Sequence, residues 1–128
     1  SWPGRINPGI NHEPIICLDI LPTIMDLLNK ELPKNRIYDG KSLLPVINDK
    51  LNRPLHENLF FDGNDGKWAV RKGNYKLVKN GSKELELYDL EKDISESKNI
   101  IFQHKKIANQ MEKSYYRWRK KMGKPMPD

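Results

Sequence analysis

The side chains able to do chemistry are dispersed along this 128-residue chain. The stretch Asp62-Gly63-Asn64-Asp65-Gly66 has the density of Asp, Asn and Gly found in a calcium loop. Such a loop needs an oxygen donor at its fifth position and a bidentate Glu at its twelfth. Those positions hold Gly66 and Gly73 here, so the stretch reads as a turn and no metal site is expected. His12, His56 and His104 have no metal-ligand spacing among themselves. The single cysteine, Cys17, cannot form an internal disulfide; within the apolar run "PIICLDIL" it reads as a small core residue. Asp and Glu are plentiful but fall on faces patterned for solvent, and no nucleotide-binding glycine loop is present.

Charge is the remaining chemical feature. Residues 1–104 carry 15 Lys and Arg against 15 Asp and Glu, whereas residues 105–128 carry 8 against 2. The whole net charge of +6 therefore belongs to the last segment. A basic tail suits a polyanion, either a sulfated polysaccharide or nucleic acid, and a solvated helix face is the plainer reading. A mean hydropathy of −0.80 describes a polar chain. No run of 18 apolar residues exists, so no membrane helix is expected, and no basic-then-apolar leader is visible.

Several elements must position these groups. Pro14–Leu18 is a short apolar, β-branched run with the pattern of a buried strand. Asp19 is a helix N-cap candidate with Pro22 in the first turn, and Ile20, Ile24, Leu27 and Leu28 share one helical face before Pro33 ends the element. Asp39-Gly40 marks a turn, and Ser42 begins a short helix. Four β-type runs follow, at Asn58–Asp62, Trp68–Arg71, Tyr75–Lys79 and Glu84–Leu90. The links Lys72-Gly73-Asn74 and Asn80-Gly81 are hairpin signals, so an antiparallel meander with one buried face is expected. Its cover is a helix over about 103–122, with Ile107, Met111, Tyr115, Trp118 and Met122 on one stripe. Pro125 and Pro127 stop it. Nucleic-acid binding would need exposed aromatic residues beside the basic ones; Tyr115 and Trp118 fall on the apolar stripe, so that partner is disfavoured.

Five stretches taken together resemble the C-terminal portion of the sulfatases (arylsulfatase-like). "DILPTIMDLL" resembles their D-x-x-P-T segment, and "YDGKSLLPVI" their D-G-x-S-L-x-P stretch. "WAVRKGNYKLVKN" is similar to the A-V-R-x-G-x-[WY]-K-L-V hairpin, "ELYDLEKDISESKNI" to the L-Y-D-L-x-x-D segment, and "YYRWRKKMGKP" to the closing stretch. They occur in family order over nearly the whole chain. Ser1-Trp2-Pro3-Gly4-Arg5 matches the Ser/Cys-x-Pro-x-Arg spacing of the sulfatase nucleophile. Gly4 replaces the usual Ser, however, and no Thr-Gly follows. The same residues resemble the W-P-G-x-I-x-P-G stretch that precedes D-x-x-P-T, so Ser1 is expected to be an ordinary loop serine.

The resemblance implies an α+β fold: a four-stranded antiparallel sheet packed on a C-terminal amphipathic helix, preceded by a strand and helix from the end of the large α/β sulfatase domain. Residues 1–54 would belong to that domain and 55–128 to the C-terminal subdomain. It implies a parent hydrolase of sulfate esters with a divalent metal, usually calcium, and a formylglycine nucleophile, all supplied upstream. No cofactor and no catalytic residue is expected in this chain, which alone would be inactive. In such subdomains loops lie beside the active site, which makes His56, Asp62, Asn64, Asp65 and Lys67 candidate substrate-binding residues. Trp68 and Arg71 read more simply as sheet packing and its ion-paired edge. Lys67 would neutralise a sulfate or carboxylate on a sugar, and Asn64 or His56 would bond hydroxyls. Expected partners are the rest of the catalytic domain, a sulfated carbohydrate or aryl sulfate, and further copies of the chain through exposed apolar surface. The family places the parent in the periplasm or outside the cell. The alternative is a basic module that binds polyanions.

Overall fold

The computed structural model describes residues 3, 4 and 6–123. Most of the Ser1–Arg5 motif and the closing prolines, Pro125 and Pro127, therefore lie outside the described residues. The chain divides into two compact units, Ser1–Glu57 and Asn58–Asp128.

The first unit is mostly irregular. One 3-10 turn at Cys17–Asp19 leads into helix α1, Ile20–Leu27, and a one-turn helix α2 spans Leu44–Ile47. The strand expected over Pro14–Leu18 is not formed. Ile16 is extended, but a strand exists only through a hydrogen-bonded neighbour, and among the described residues none lies alongside. Pro22 sits in the first turn of α1, where its missing N–H removes no helical bond. α1 stops six residues before Pro33 because Asn29 turns left-handed at φ 51°. The Lys30 N–H then reaches the Met25 carbonyl and the Asn29 N–H the Asp26 carbonyl, which is a Schellman ending. α2 ends the same way, with Asp49 at φ 51° and the Lys50 N–H on the Pro45 carbonyl.

The face that α1 buries is not the apolar one. Pro22 and Thr23 are buried, whereas Ile20, Ile24, Leu27 and Leu28 are 39–61% exposed. The helix is amphipathic as its sequence implies, but its apolar side is left largely exposed. Leu21 and Leu18 extend the exposed surface.

The second unit is a four-stranded antiparallel meander, β1 (Leu59–Asp62), β2 (Trp68–Lys72), β3 (Tyr75–Lys79) and β4 (Leu85–Asp89), in sequential order. Helix α3, Lys105–Met122, lies across one face. The register aligns Phe60, Val70, Leu77 and Leu87 in a row across the sheet. Val70, Leu77 and Leu87 are fully buried against Ala108, Met111 and Tyr115 of α3. The two-residue link Gly73-Asn74 joins β2 to β3, with Gly73 at φ 55° supplying the conformation that a tight hairpin needs at its first position. Asn99 holds the outer side of β4. Its Oδ1 accepts the Leu87 N–H, and the Ile100 N–H bonds the Leu87 carbonyl. The core stripe of α3 differs from the expected one at both ends. Ala108 is buried and Met122 is half-exposed, because 108, 111 and 115 follow the 3.6-residue period while the last turn runs past the sheet.

An exposed face of this kind has a direct consequence. Each large aliphatic side chain moved from water contributes about 1.5–3 kcal/mol, so the chain is expected to self-associate at high concentration. Sedimentation velocity should show dimers or larger species that dissociate in Ile24→Lys/Leu28→Lys; a clean monomer at all concentrations would contradict this.

Candidate functional site

Two polar centres emerge, one in each unit. The first is built around Asp19, whose side chain has no solvent exposure. Its carboxylate accepts the N–H of Ile16 at 2.9 Å and of Lys41 at 2.8 Å, and lies 2.9 Å from His56 Nε2. Burial works to raise the pKa of this carboxyl. The backbone N–H groups of Ile16 and Lys41 and the His56 ring outweigh it and hold the group below its ordinary 3.8. An ionised carboxylate only accepts, so the Nε2 proton must lie on the His56 side.

Around this node the two family-like stretches interlock. Thr23 Oγ1 donates to the Asp19 carbonyl at 2.6 Å and accepts the Leu43 N–H at 2.9 Å. Ser42 Oγ bonds the Asp26 carboxylate. Lys41 Nζ reaches the Leu55 carbonyl at 2.6 Å, while the Leu55 N–H donates to Glu13. Gly40 passes so close to the Leu18 backbone that a Cβ would overlap its carbonyl. Asp19, Thr23 and Asp26 of the first stretch thus bond Lys41, Leu43 and Ser42 of the second. Asp19 occupies the N-cap position of α1 but makes no side-chain cap bond, since both oxygens are committed elsewhere.

The second centre is the loop between β1 and β2. Asp62 pairs with Trp68 across its base. Within it, the Gly63 N–H bonds the Lys67 carbonyl at 2.9 Å and the Lys67 N–H the Asn64 carbonyl at 3.1 Å. Asp65 and Gly66 both take left-handed φ, 58° and 70°. α3 clamps both stems. The Tyr115 hydroxyl donates to Asp62 Oδ1, and Arg119 Nε lies 3.0 Å from Asp62 Oδ2. The Tyr115 ring stacks on Trp68 at 4.1 Å between centroids, and Trp118 stacks on Phe60 at 4.9 Å. Burial first, then the hydrogen bond to Asp62 and the charge of that carboxylate, push the Tyr115 hydroxyl up to about 12.

The structure therefore sorts the five candidate residues. Asn64, Asp65 and Lys67 sit together on the exposed loop. Asp62 stands at the base of that loop with both oxygens engaged by α3. His56 belongs to the first unit, where its ring bonds Asp19. Trp68 is core, and Arg71 Nε donates to the Gly73 carbonyl across its own hairpin. Tyr115 and Arg119 were not singled out as supports for this loop. The signal for them was the Tyr115–Arg119 spacing of one helical turn, which carries no information about Asp62. Among the described residues no group of three or more His, Cys, Asp or Glu side chains is placed to hold a metal ion.

Comparison with known proteins gives these centres a context. Residues 1–121 match the family model described as N-sulphoglucosamine sulphohydrolase, C-terminal. An arylsulfatase of Hemicentrotus pulcherrimus is 44% identical over 75 residues, covering 59% of this chain and 13% of that protein. An uncharacterized sulfatase of Schizosaccharomyces pombe is 33% identical over 122 residues, covering 86% of this chain and 22% of that protein. Among solved structures, Ps i-CgsB superposes with a TM-score of 0.81 at 24% identity, covering 91% of this chain and 27% of that one. The phosphonate monoester hydrolase of Agrobacterium radiobacter superposes with a TM-score of 0.57 at 22% identity, covering 80% of this chain and 24% of that one. These structural likenesses establish the fold. The chain spans about a quarter or less of the relatives it matches.

Two titrations follow from the two centres. Because Asp19 is held below 3.8 when folded, its stabilisation is complete above that value and drains away as pH falls through the lower, folded value. Urea unfolding of the first unit should weaken below about pH 4, and Asp19→Asn should lose about 2 kcal/mol at neutral pH together with that pH dependence. A raised tyrosine works in the opposite direction: its contribution is complete below 10 and is lost as pH rises through about 12. Tyrosinate absorbance should show one late-titrating hydroxyl that is absent in Tyr115→Phe.

Proposed function

This chain belongs to the sulfatase family, as its C-terminal portion, and we propose that it completes the fold of a sulfuric ester hydrolase without carrying the catalytic residues itself. The observation that carries this proposal is the apolar side of α1, exposed on a helix whose opposite side is locked down by Asp19 and Thr23. A helix fixed so firmly, with Ile20, Ile24, Leu27 and Leu28 facing outward, is built to be covered. The remainder of the catalytic domain is the cover we assign, in keeping with the small share of each relative that this chain spans. The fold by itself does not choose sulfate, since a phosphonate monoester hydrolase shares it. The choice of sulfate rests on the family.

Hydrolysis of a sulfate ester concentrates negative charge in its transition state, which preorganised cations and donors must meet. In this proposal the metal and the formylglycine nucleophile lie outside the segment. The contribution of residues 58–128 is recognition. Lys67 supplies a positive charge for a sulfate or carboxylate on the substrate, and Asn64 and Asp65 bond sugar hydroxyls, on a loop held rigid by Tyr115, Trp68 and Arg119. Asp62 at the base of the loop and His56 in the first unit act as structural groups, each within its own unit. The carbohydrate complex solved for Ps i-CgsB, with k-i-k-neocarrahexaose, supports a sugar as the substrate class.

The test is turnover. With a chromogenic aryl sulfate, this chain alone should show none, and a full-length sulfatase carrying it should be active. In that protein Asn64→Ala/Lys67→Ala should raise KM for a sulfated oligosaccharide about tenfold, near 1.4 kcal/mol, with kcat little changed. Turnover by the isolated chain, or an unchanged KM, would refute the assignment.

A further inference from the structure

α3 carries a second organised surface, on the side away from the sheet. At 100° per residue, Lys106, Lys113, Arg117 and Lys120 fall within a sector of about 60°, a line about 21 Å long. Ala108, Met111 and Tyr115 occupy the opposite side, in the core. All four basic residues are exposed. The ion pairs formed among the described residues engage Lys34, Lys76, Lys92 and Arg119, and none of these four.

Helix stability does not account for this line. A helix surface that serves only to stay solvated gains from acids placed three or four residues from its bases. Here Lys113–Arg117 and Arg117–Lys120 are like-charged neighbours at those spacings. The helix dipole favours cations in the last turn, which covers Lys120, but disfavours Lys106 in the first turn, where there is no acidic residue. The line therefore weakens the helix that bears it, and an anionic partner would offset that cost.

We propose that this cation line is a docking surface for a sulfated polysaccharide chain lying along α3. A membrane surface would call for a broad apolar face beside the cations, whereas the exposed large apolar side chains of α3 are Tyr116 and Met122, the rest being at least partly buried against the sheet. Single-stranded nucleic acid would call for successive exposed aromatic platforms, but Tyr115 is buried on Trp68 and Trp118 is stacked on Phe60, which leaves Tyr116 as the one exposed aromatic of α3. An extended polyanion that needs charge and no stacking is what remains. The cation line stands on its own geometry; the choice of a sulfated glycan rests on the proposed sulfatase reading.

Heparin is the probe, with neutral dextran and duplex DNA as comparisons, and binding by this chain is measured across a salt series. Four contacts on a linear polyanion give a slope of log K against log salt of about −3. Heparin should bind with that slope and dextran should not bind. Lys113→Gln/Arg117→Gln/Lys120→Gln, which keeps good helix formers, should reduce the slope to about −1. The single change Arg117→Gln should lower it by about one and guards against loss of fold, which circular dichroism checks. Lys30→Gln/Lys50→Gln/Lys72→Gln removes equal charge elsewhere and should leave the slope near its original value. Equal losses in the two triple variants would overturn the site, and duplex DNA binding as tightly as heparin at the same salt would overturn the glycan assignment. Hydrolysis of a small aryl sulfate by the full-length protein should be the same in all variants, which separates failure of this surface from failure of the catalytic proposal.

Discussion

One carboxylate with no solvent exposure organises the first unit. Asp19 draws N–H groups from Ile16 and Lys41, and the His56 ring, to a single point. A buried charge is costly unless its lone pairs are satisfied. Satisfying this one fixes the turn before α1, the segment before α2 and the segment that precedes the sheet. With so little regular structure available, that node replaces the hydrophobic core which a larger unit would use. It also explains why the polar residues of the two family stretches point inward while the aliphatic side of α1 is left outside. The unit is organised from its polar side, and its apolar side remains free to meet something else.

The second unit follows the more usual logic of a sheet covered by a helix, with one polar tie added at the end of β1. Tyr115 serves both parts: its ring completes the core against Trp68, and its hydroxyl holds Asp62. The base of the loop that carries Asn64, Asp65 and Lys67 is thus tied to a core residue. α3 has three separate sides: a core face, the tie to the loop, and an outward line of cations.

The second unit was largely legible in the sequence. Alternation in "YKLVK" and "LELYDL", the glycine-containing links and the spacing of Met111 and Tyr115 are local signals, and the sheet and helix follow from them. The first unit was less legible, for a physical reason. Asp19 meets Lys41 and His56 at separations of 22 and 37 residues, and no periodicity reports such contacts. The run Pro14–Leu18 has the composition of a strand, but a strand also needs a neighbour, which composition cannot supply. The pattern of Ile20, Ile24, Leu27 and Leu28 identified a sided helix without saying what its apolar side would face. Similarly, no local signal reports that His56 bonds Asp19 and that Asp62 bonds Tyr115 and Arg119. The polarity of Asn64, Asp65 and Lys67 does indicate their exposure on the loop.

The central claim is that Asp19 and His56 act as one structural unit. A double-mutant cycle of Asp19→Asn and His56→Ala, read from the exchange of the Lys41 amide in the folded chain, tests it most directly. The two changes should be non-additive by about 1–3 kcal/mol, because either one alone already breaks the shared bond. Additivity within about 0.5 kcal/mol would mean that the two side chains act independently, and the node would not be what holds the first unit together.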